Sequence, residues 1–168
     1  ATSALHLACL ALGLGEGDWL WTSPISFVAS ANCGLFCGAN IDLVDINLDT
    51  YNIDIDILNE KLLFAEREDR LPKILVLVHM CGSSIDTRAI YELSKKFHFK
   101  IIEDASHAVG AKSRDLPVGS CKYSDICVFS FHPVKIITTG EGGFLCTNDD
   151  EIAERLKLMR SHGITRDS

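Results

Sequence analysis

The segment Ser130-Phe131-His132-Pro133-Val134-Lys135 leads from a predicted apolar strand over residues 126–131 into a glycine-rich turn, Thr138-Thr139-Gly140-Glu141-Gly142-Gly143. It places one lysine just past the end of that strand. Most lysines in loops are solvent-exposed, but the apolar neighbours Val134, Ile136 and Ile137 would exclude water from this amine. Because a lysine amine that has lost its proton attacks carbonyl carbons, the segment predicts Schiff-base chemistry at Lys135.

A second predicted strand, over residues 100–103, ends in the carboxylate of Asp104. A lysine and an aspartate at neighbouring strand ends are the two groups that pyridoxal 5'-phosphate (PLP) requires, an amine for its aldehyde and an anion for its ring nitrogen. The pair therefore predicts a PLP site. An alternative role for Asp104 is to cap the small-residue segment that follows, residues 105–111.

Strands and helices alternate along the chain. The predicted strands cover residues 18–21, 41–46, 74–78, 100–103 and 126–131, and the predicted helices cover residues 4–12, 27–36, 55–65 and 86–97. A strand over residues 143–147 is expected to return antiparallel, and a last helix, capped by Asn148, ends near Ser161. This order predicts an α/β fold with a mostly parallel sheet and helices on both faces. Ligands of such sheets bind beyond the carboxyl ends of the strands, where Asp104, Ser130 and Lys135 fall.

Other side chains are candidates for the same site. Thr2 and Ser3 lie at a helix N-terminus, where free N–H groups and the helix dipole attract phosphate, although plain capping is the alternative. Ser130 offers a third hydroxyl. Phe27 is either a core residue or a platform on which a ring stacks. His107 is either a core histidine or a neighbour of the PLP ring and its phenolic oxygen.

Length and composition limit the class of protein. The 168 residues suit one domain, and 47% are hydrophobic, with a mean hydropathy of +0.16. This balance predicts some apolar surface that a partner covers. The net charge of −7 and the lack of a basic stripe argue against nucleic-acid binding. The sequence has neither a run of about 18 apolar residues nor a signal peptide, so we expect no membrane segment.

The seven cysteines follow no disulfide framework. Cys33 and Cys37 are spaced like metal ligands, but no second pair completes a zinc site, and we expect no metal. Buried, reduced thiols are the prediction, which favours the cytoplasm. The glycine-rich stretches at residues 13–17 and 140–143 lack the context of a dinucleotide loop and of a P-loop, respectively.

Three motifs together resemble the DegT/DnrJ/EryC1/StrS sugar aminotransferase family. They are Ala1-Thr2-Ser3-Ala4-Leu5, Glu103-Asp104-Ala105-Ser106-His107-Ala108, and the Ser130–Gly143 segment quoted above. The resemblance covers nearly the whole chain. It implies the large domain of PLP-dependent transferase fold type I, the aspartate-aminotransferase fold. Residues 21–32 and 130–139 most resemble the branch of the family that serves pseudaminic acid biosynthesis.

The resemblance implies a role for each candidate residue. Lys135 would bind the PLP aldehyde covalently and move a proton at C4 of the sugar, and Asp104 would pair with the ring nitrogen. Phe27 would stack on the ring, His107 would lie beside it, and the phosphate would be held by Thr2, Ser3 and Ser130. The amino donor would be glutamate, and the acceptor a UDP-linked 4-keto-6-deoxy sugar of the N-acetyl-altrosamine type. Related dehydratases carry His in place of the lysine, so Lys135 favours transamination.

The resemblance also implies a larger assembly. Residues 1–168 would be part of the PLP-binding large domain, without a preceding N-terminal segment and a C-terminal small domain. The active site would lie between the subunits of a cytoplasmic homodimer. Two alternatives remain open at this stage: the same chemistry on another keto sugar, and a non-catalytic PLP-fold regulator or scaffold.

Overall fold

A computed structural model describes residues 1–165 as a three-layer arrangement of helices around one central sheet. The helices are α1 (Thr2–Ala11), α2 (Ala29–Leu35), α3 (Ile55–Arg67), α4 (Thr87–Phe97) and α5 (Asp150–Arg160), with a short 3-10 helix at Met80–Gly82. The strands are β1 (Trp19–Thr22), β2 (Asn40–Leu43), β3 (Ile74–Val78), β4 (Lys100–Asp104), β5 (Lys112–Ser113), β6 (Leu116–Pro117), β7 (Ile126–Ser130) and β8 (Gly143–Cys146).

The sheet has six strands in the order β2-β1-β3-β4-β7-β8, and only β8 runs antiparallel to its neighbour. In this register Asp104 lies between Val78 of β3 and Val128 of β7. The carboxyl ends of three parallel strands therefore meet at one edge, which brings the ends of β4 and β7 close together. The mostly parallel sheet and the antiparallel return over β8 were both predicted correctly.

Each face of the sheet carries its own apolar core. Ile74 and Val76 of β3 pack with α1, α2 and α5 on one face, whereas Leu75 and Leu77 pack with α3 and α4 on the other. Side chains alternate between the faces of a strand, so an uninterrupted apolar run such as Ile74–Val78 is required when both faces are covered. The prediction of helices on both faces is confirmed.

The ends of two helices differ from the sequence-based prediction. Thr2 and Ser3 do not cap α1, because the helix begins at Thr2 and Ala1 occupies the N-cap position. Asn148 does not cap α5 either. Its amide donates to the carbonyl oxygens of Ser120 and Cys121, and Asp149 caps the helix by accepting the N–H of Ile152. Asn148 lies one residue too early because its side chain is used to fix a neighbouring loop.

The seven cysteines are all free, and four of them are buried. Burial raises the pKa of the Cys121 thiol to about 12, and burial also raises the pKa of Cys127. These thiols therefore remain protonated and unreactive at neutral pH. Within residues 1–165, each helix is too short or too polar to cross a bilayer, and no cluster of three or more potential ligands is arranged to hold a metal ion.

The cap of α3 gives a stability prediction with a defined pH dependence. Asp54 Oδ1 accepts the N–H groups of Asp56 and Ile57 at 3.0 and 3.1 Å, and the Ile57 hydrogen bond is the main cause that lowers the pKa of Asp54 below its ordinary value of 3.8. Replacing Asp54 with Ala should lower the free energy of unfolding by about 1 kcal/mol at pH 7, measured by urea unfolding.

The folded-state pKa of Asp54 lies below the unfolded one, so its contribution is complete above pH 4 and disappears as the pH falls through the folded-state pKa. The difference between wild type and Asp54→Ala should therefore shrink in acid. Glu60→Ala, at an exposed position of the same helix, is the control and should change little. A difference that is independent of pH would contradict a capping carboxylate.

Candidate active site

A cleft of about 1250 Å³ lies at the carboxyl ends of the parallel strands. All of the residues that the sequence analysis selected for the site line this cleft: Thr2, Ser3, Phe27, Asp104, His107, Ser130 and Lys135. They come from α1, from the turn before α2, from the end of β4 and its following loop, and from the end of β7 and its following loop. The fold thus brings together residues that are more than a hundred positions apart in sequence.

Asp104 is the buried anion of the cleft, with 5% of its surface exposed. Its Oδ2 accepts the hydroxyl of Ser30 at 2.7 Å, and its Oδ1 accepts both the hydroxyl and the N–H of Ser106, at 2.6 and 3.1 Å. A buried carboxylate is strongly disfavoured unless donors surround it, and these groups supply them. The alternative role of Asp104 was to cap residues 105–111. Asp104 does hold this loop through Ser106, but the loop forms turns rather than a helix.

Lys135 is half-buried, and its backbone N–H donates to the carbonyl of His132 in a turn. Its Nζ forms neither a hydrogen bond nor an ion pair with another side chain in the described part of the protein. The expectation that apolar neighbours exclude water from this amine is wrong for this chain, since Val134 and Ile136 are 78% and 71% exposed. The reason is that residues 132–140 form surface turns instead of entering the core.

His107 lines the same cleft, within electrostatic range of Lys135 and Asp104. Burial lowers the pKa of His107, and the nearby positive charge of Lys135 lowers it further, while the carboxylate of Asp104 acts in the opposite direction. The imidazole is therefore neutral at pH 7, with one ring nitrogen as donor and the other as acceptor. Since His107 is only partly buried, the simple core role is rejected.

Phe27 precedes α2 and is 71% exposed on the wall of the cleft. The core role considered for it is therefore wrong, because its ring packs into neither apolar core. An exposed aromatic ring beside a buried carboxylate is suited to stack on a flat, partly charged ligand.

The cleft also contains a place that is suited to an anion. The N-terminus of α1 lies there, with the exposed hydroxyls of Thr2 and Ser3, and the first N–H groups of a helix have no partner within the helix. Ser130, buried at the end of β7, pairs with Gly143 of β8. A Cβ atom on Gly143 would lie 3.1 Å from the Cβ of Ala4, so glycine lets α1 approach this edge of the sheet.

These side chains fit PLP. The cleft combines an amine for an aldehyde, a buried carboxylate for a protonated ring nitrogen, an aromatic ring for stacking, and a helix N-terminus with hydroxyls for a phosphate.

The comparison with known proteins agrees with this geometry. The profile of the DegT/DnrJ/EryC1/StrS aminotransferase family matches residues 1–168. The chain belongs to this family. It is 43% identical over 166 residues to the UDP-4-amino-4,6-dideoxy-N-acetyl-beta-L-altrosamine transaminase of Campylobacter jejuni. This match covers 99% of this chain and 42% of that protein. It is 40% identical to the GDP-perosamine synthase of Caulobacter vibrioides, over 97% of this chain and 42% of the relative.

Solved structures share the fold. An aminotransferase of the family from Brucella abortus superimposes with a TM-score of 0.92 at 28% identity, over 99% of this chain and 45% of that one. Helicobacter pylori PseC, an aminotransferase of pseudaminic acid biosynthesis, gives a TM-score of 0.89 at 37% identity, over 99% and 43% of the two chains. The predicted fold class and family are confirmed. The chain spans about two fifths of the length of the curated relatives it matches.

The sequence analysis did not find Ser30 and Ser106, which hold Asp104. Ser106 follows Asp104 by two residues, which is the spacing of an Asx turn, so a local signal existed. Ser30 lies 74 positions from Asp104, and no local pattern indicates that contact. A third missed feature is a buried network behind β4, formed by His79, Glu103 and Ser124.

In this network His79 is fully buried, and its Nε2 lies 2.8 Å from Glu103 Oε2. The N–H of Ile85 donates to His79 Nδ1, so Nε2 carries the ring proton and donates it to the carboxylate. The other carboxylate oxygen of Glu103 contacts the hydroxyl of Ser124. The backbone N–H of His79 also donates to the backbone carbonyl of Asp104, so the network supports the end of β4, which carries the site.

Replacing His79 with Leu should lower the free energy of unfolding by about 2–3 kcal/mol, because the buried Glu103 loses a hydrogen bond that nothing replaces. Glu103→Gln is the matched control, since its amide can still accept from His79 and donate to Ser124, and it should lose about 1 kcal/mol or less. Urea unfolding of both variants checks this. Equal losses of unfolding free energy in the two variants would contradict a stabilising hydrogen bond between His79 and Glu103.

Proposed function

We propose that the protein is a PLP-dependent transaminase that moves an amino group from glutamate to C4 of a nucleotide-linked 4-keto-6-deoxy sugar. The observation that carries the proposal is that Lys135 and Asp104 line one cleft at the carboxyl ends of adjacent strands. Family membership and 43% identity to an altrosamine transaminase support the sugar substrate, and favour the UDP-4-keto-6-deoxy-N-acetyl-altrosamine type used in pseudaminic acid biosynthesis.

PLP, when bound, supplies an electron sink that stabilises negative charge on the carbon that gains or loses the amino group. Lys135 would provide the amine that holds the cofactor's aldehyde, and the same Nζ would move the proton at C4 of the sugar. Its position on a surface turn, without a competing side-chain partner in residues 1–165, leaves the amine free for both tasks.

The remaining residues hold and orient the cofactor. Asp104 would accept a hydrogen bond from the ring nitrogen and keep that nitrogen protonated. Phe27 would cover one face of the ring, and the neutral His107 lies close enough to Asp104 and Lys135 for both charges to affect its pKa. Because His107 is neutral, it adds no positive charge beside the ring.

The phosphate would be bound by the N-terminus of α1 together with the hydroxyls of Thr2, Ser3 and Ser130. The support for this assignment is the unpaired first turn of a ten-residue helix on the wall of the cleft. The close approach of α1 to Gly143 places this turn beside the end of β7, where Ser130 lies.

We infer that residues 1–168 are part of the PLP-binding large domain of a longer enzyme, and that the site is completed in a homodimer. The exposed apolar side chains beside Lys135 support this inference, since a second subunit or a further segment would cover them and exclude water from the amine. The free cysteines support a reducing, cytoplasmic location.

Another keto sugar is the second candidate acceptor. Relatives at 35–40% identity are named for GDP-perosamine and for UDP-4-amino-4-deoxy-L-arabinose, so proteins of similar sequence are named for different sugars and nucleotides. The residues of the cleft described above would contact the cofactor, and they do not distinguish these acceptors.

An amination assay tests the proposal. The PLP-loaded enzyme, given glutamate and the UDP-linked 4-keto-6-deoxy sugar, should form the 4-amino sugar and 2-oxoglutarate in equal amounts. Lys135→Ala should lower the rate by about 10³-fold, because the base that moves the proton is lost. Lys112→Ala, at an exposed lysine outside the cleft, is the matched control and should retain the wild-type rate.

Product formation from GDP-linked or pentose acceptors, but not from the UDP-linked 6-deoxy sugar, would favour the second candidate. Wild-type protein that binds PLP but produces no 2-oxoglutarate from glutamate with any acceptor would contradict a transaminase and indicate a non-catalytic regulator or scaffold.

A further inference from the structure

The carboxylate of Asp104 is held at both of its oxygens. Ser30 donates to Oδ2, and Ser106 donates to Oδ1 through both its hydroxyl and its N–H. The χ2 torsion of an aspartate is otherwise broad, so donors on opposite oxygens are needed to fix the plane of the carboxylate. Its backbone is fixed as well, because Asp104 lies in the ladder between β3 and β7.

The number of hydrogen bonds that the Asp104 carboxylate accepts leaves one acceptor position for a ligand. An ionised carboxylate offers about four acceptor positions, and the two serines occupy three of them. The remaining position belongs to a group that is 5% exposed and lines the cleft. One donor from a ligand therefore completes the shell of Asp104.

We propose that Ser30 and Ser106 are positioning residues that aim this last acceptor site of Asp104 at the ring nitrogen of PLP. The inference rests on the proposed function. Neither serine contacts the cofactor in this account, since both act through the carboxylate. The competing explanation is structural: Ser106 only closes a turn, and Ser30 only fills space on the buried face of α2.

Ser30 has a second connection that Ser106 lacks. Its Oγ lies 2.7 Å from the Oγ of Ser26, in the segment that carries Phe27, and Ser30 itself is fully buried. Ser30 thus links the segment that carries Phe27 to the carboxylate of Asp104. Its loss should disturb both stacking and the ring-nitrogen contact, whereas the loss of the Ser106 hydroxyl should disturb the ring-nitrogen contact alone.

The test compares the affinity of the full-length enzyme for PLP and for 1-deaza-PLP, an analogue with a C–H group in place of the ring nitrogen. Both dissociation constants are measured by titration of protein fluorescence. Ser106→Ala should weaken PLP binding about tenfold, because a hydrogen bond to a charged group is lost, and should leave binding of the analogue within about twofold. Ser30→Ala should weaken both ligands, and PLP more than the analogue.

Two further variants make the comparison specific. Ser106→Thr keeps a hydroxyl at a partly exposed position and should restore the affinity for PLP. Ser94→Ala removes a buried hydroxyl that donates to the carbonyl of Tyr91 on α4, and should change neither affinity. If Ser30→Ala does not fold, the Ser106 variants decide the question alone.

Equal losses for PLP and 1-deaza-PLP in Ser106→Ala, or no loss for either, would overturn the inference and leave the proposed function intact. Wild-type enzyme that binds PLP no more tightly than 1-deaza-PLP would overturn it as well, since Asp104 would then make no ring-nitrogen contact. Wild-type enzyme that binds neither ligand would instead contradict the proposed function.

Discussion

The buried carboxylate of Asp104 is the group on which the arrangement of the cleft depends. A charge at the end of a strand that is covered on both faces is strongly disfavoured unless hydrogen-bond donors reach it. Those donors come from α2 and from the loop after β4, so satisfying one charge fixes the relative positions of three segments. The chemistry proposed for the site uses the one acceptor position that this arrangement leaves.

The parallel sheet determines which residues can join that carboxylate. Adjacent parallel strands β4 and β7 end at the same edge, and this brings the loop that carries Lys135 to the cleft that Asp104 lines. The antiparallel strand β8 then returns along β7, and Gly143 admits the N-terminus of α1 to the same edge. A helix N-terminus suited to an anion and a carboxylate suited to a protonated nitrogen consequently line one cleft, and a phosphorylated pyridine carries both kinds of group.

The sequence predicted those parts of the structure that depend on local pattern. Strand β3 was predicted with its observed limits because five consecutive apolar residues can only be buried on both faces. The capping role of Asn148 was wrong because a competing contact with Ser120, which is distant in sequence, takes its side chain. The expectation that apolar neighbours exclude water from the amine of Lys135 was wrong because apolar character alone does not show whether a loop is covered within its own chain. The contact of Ser30 with Asp104 was missed because spacing carries no information about pairs so far apart.

A crystal structure of the enzyme with PLP bound would show whether Lys135 and Asp104 hold opposite sides of one cofactor ring. We expect continuous density between Lys135 Nζ and the aldehyde carbon of PLP, with the ring nitrogen about 3 Å from an oxygen of Asp104 and the phosphate at the N-terminus of α1. A cofactor bound in this cleft with its ring nitrogen directed away from Asp104, or one attached to a different lysine, would contradict it.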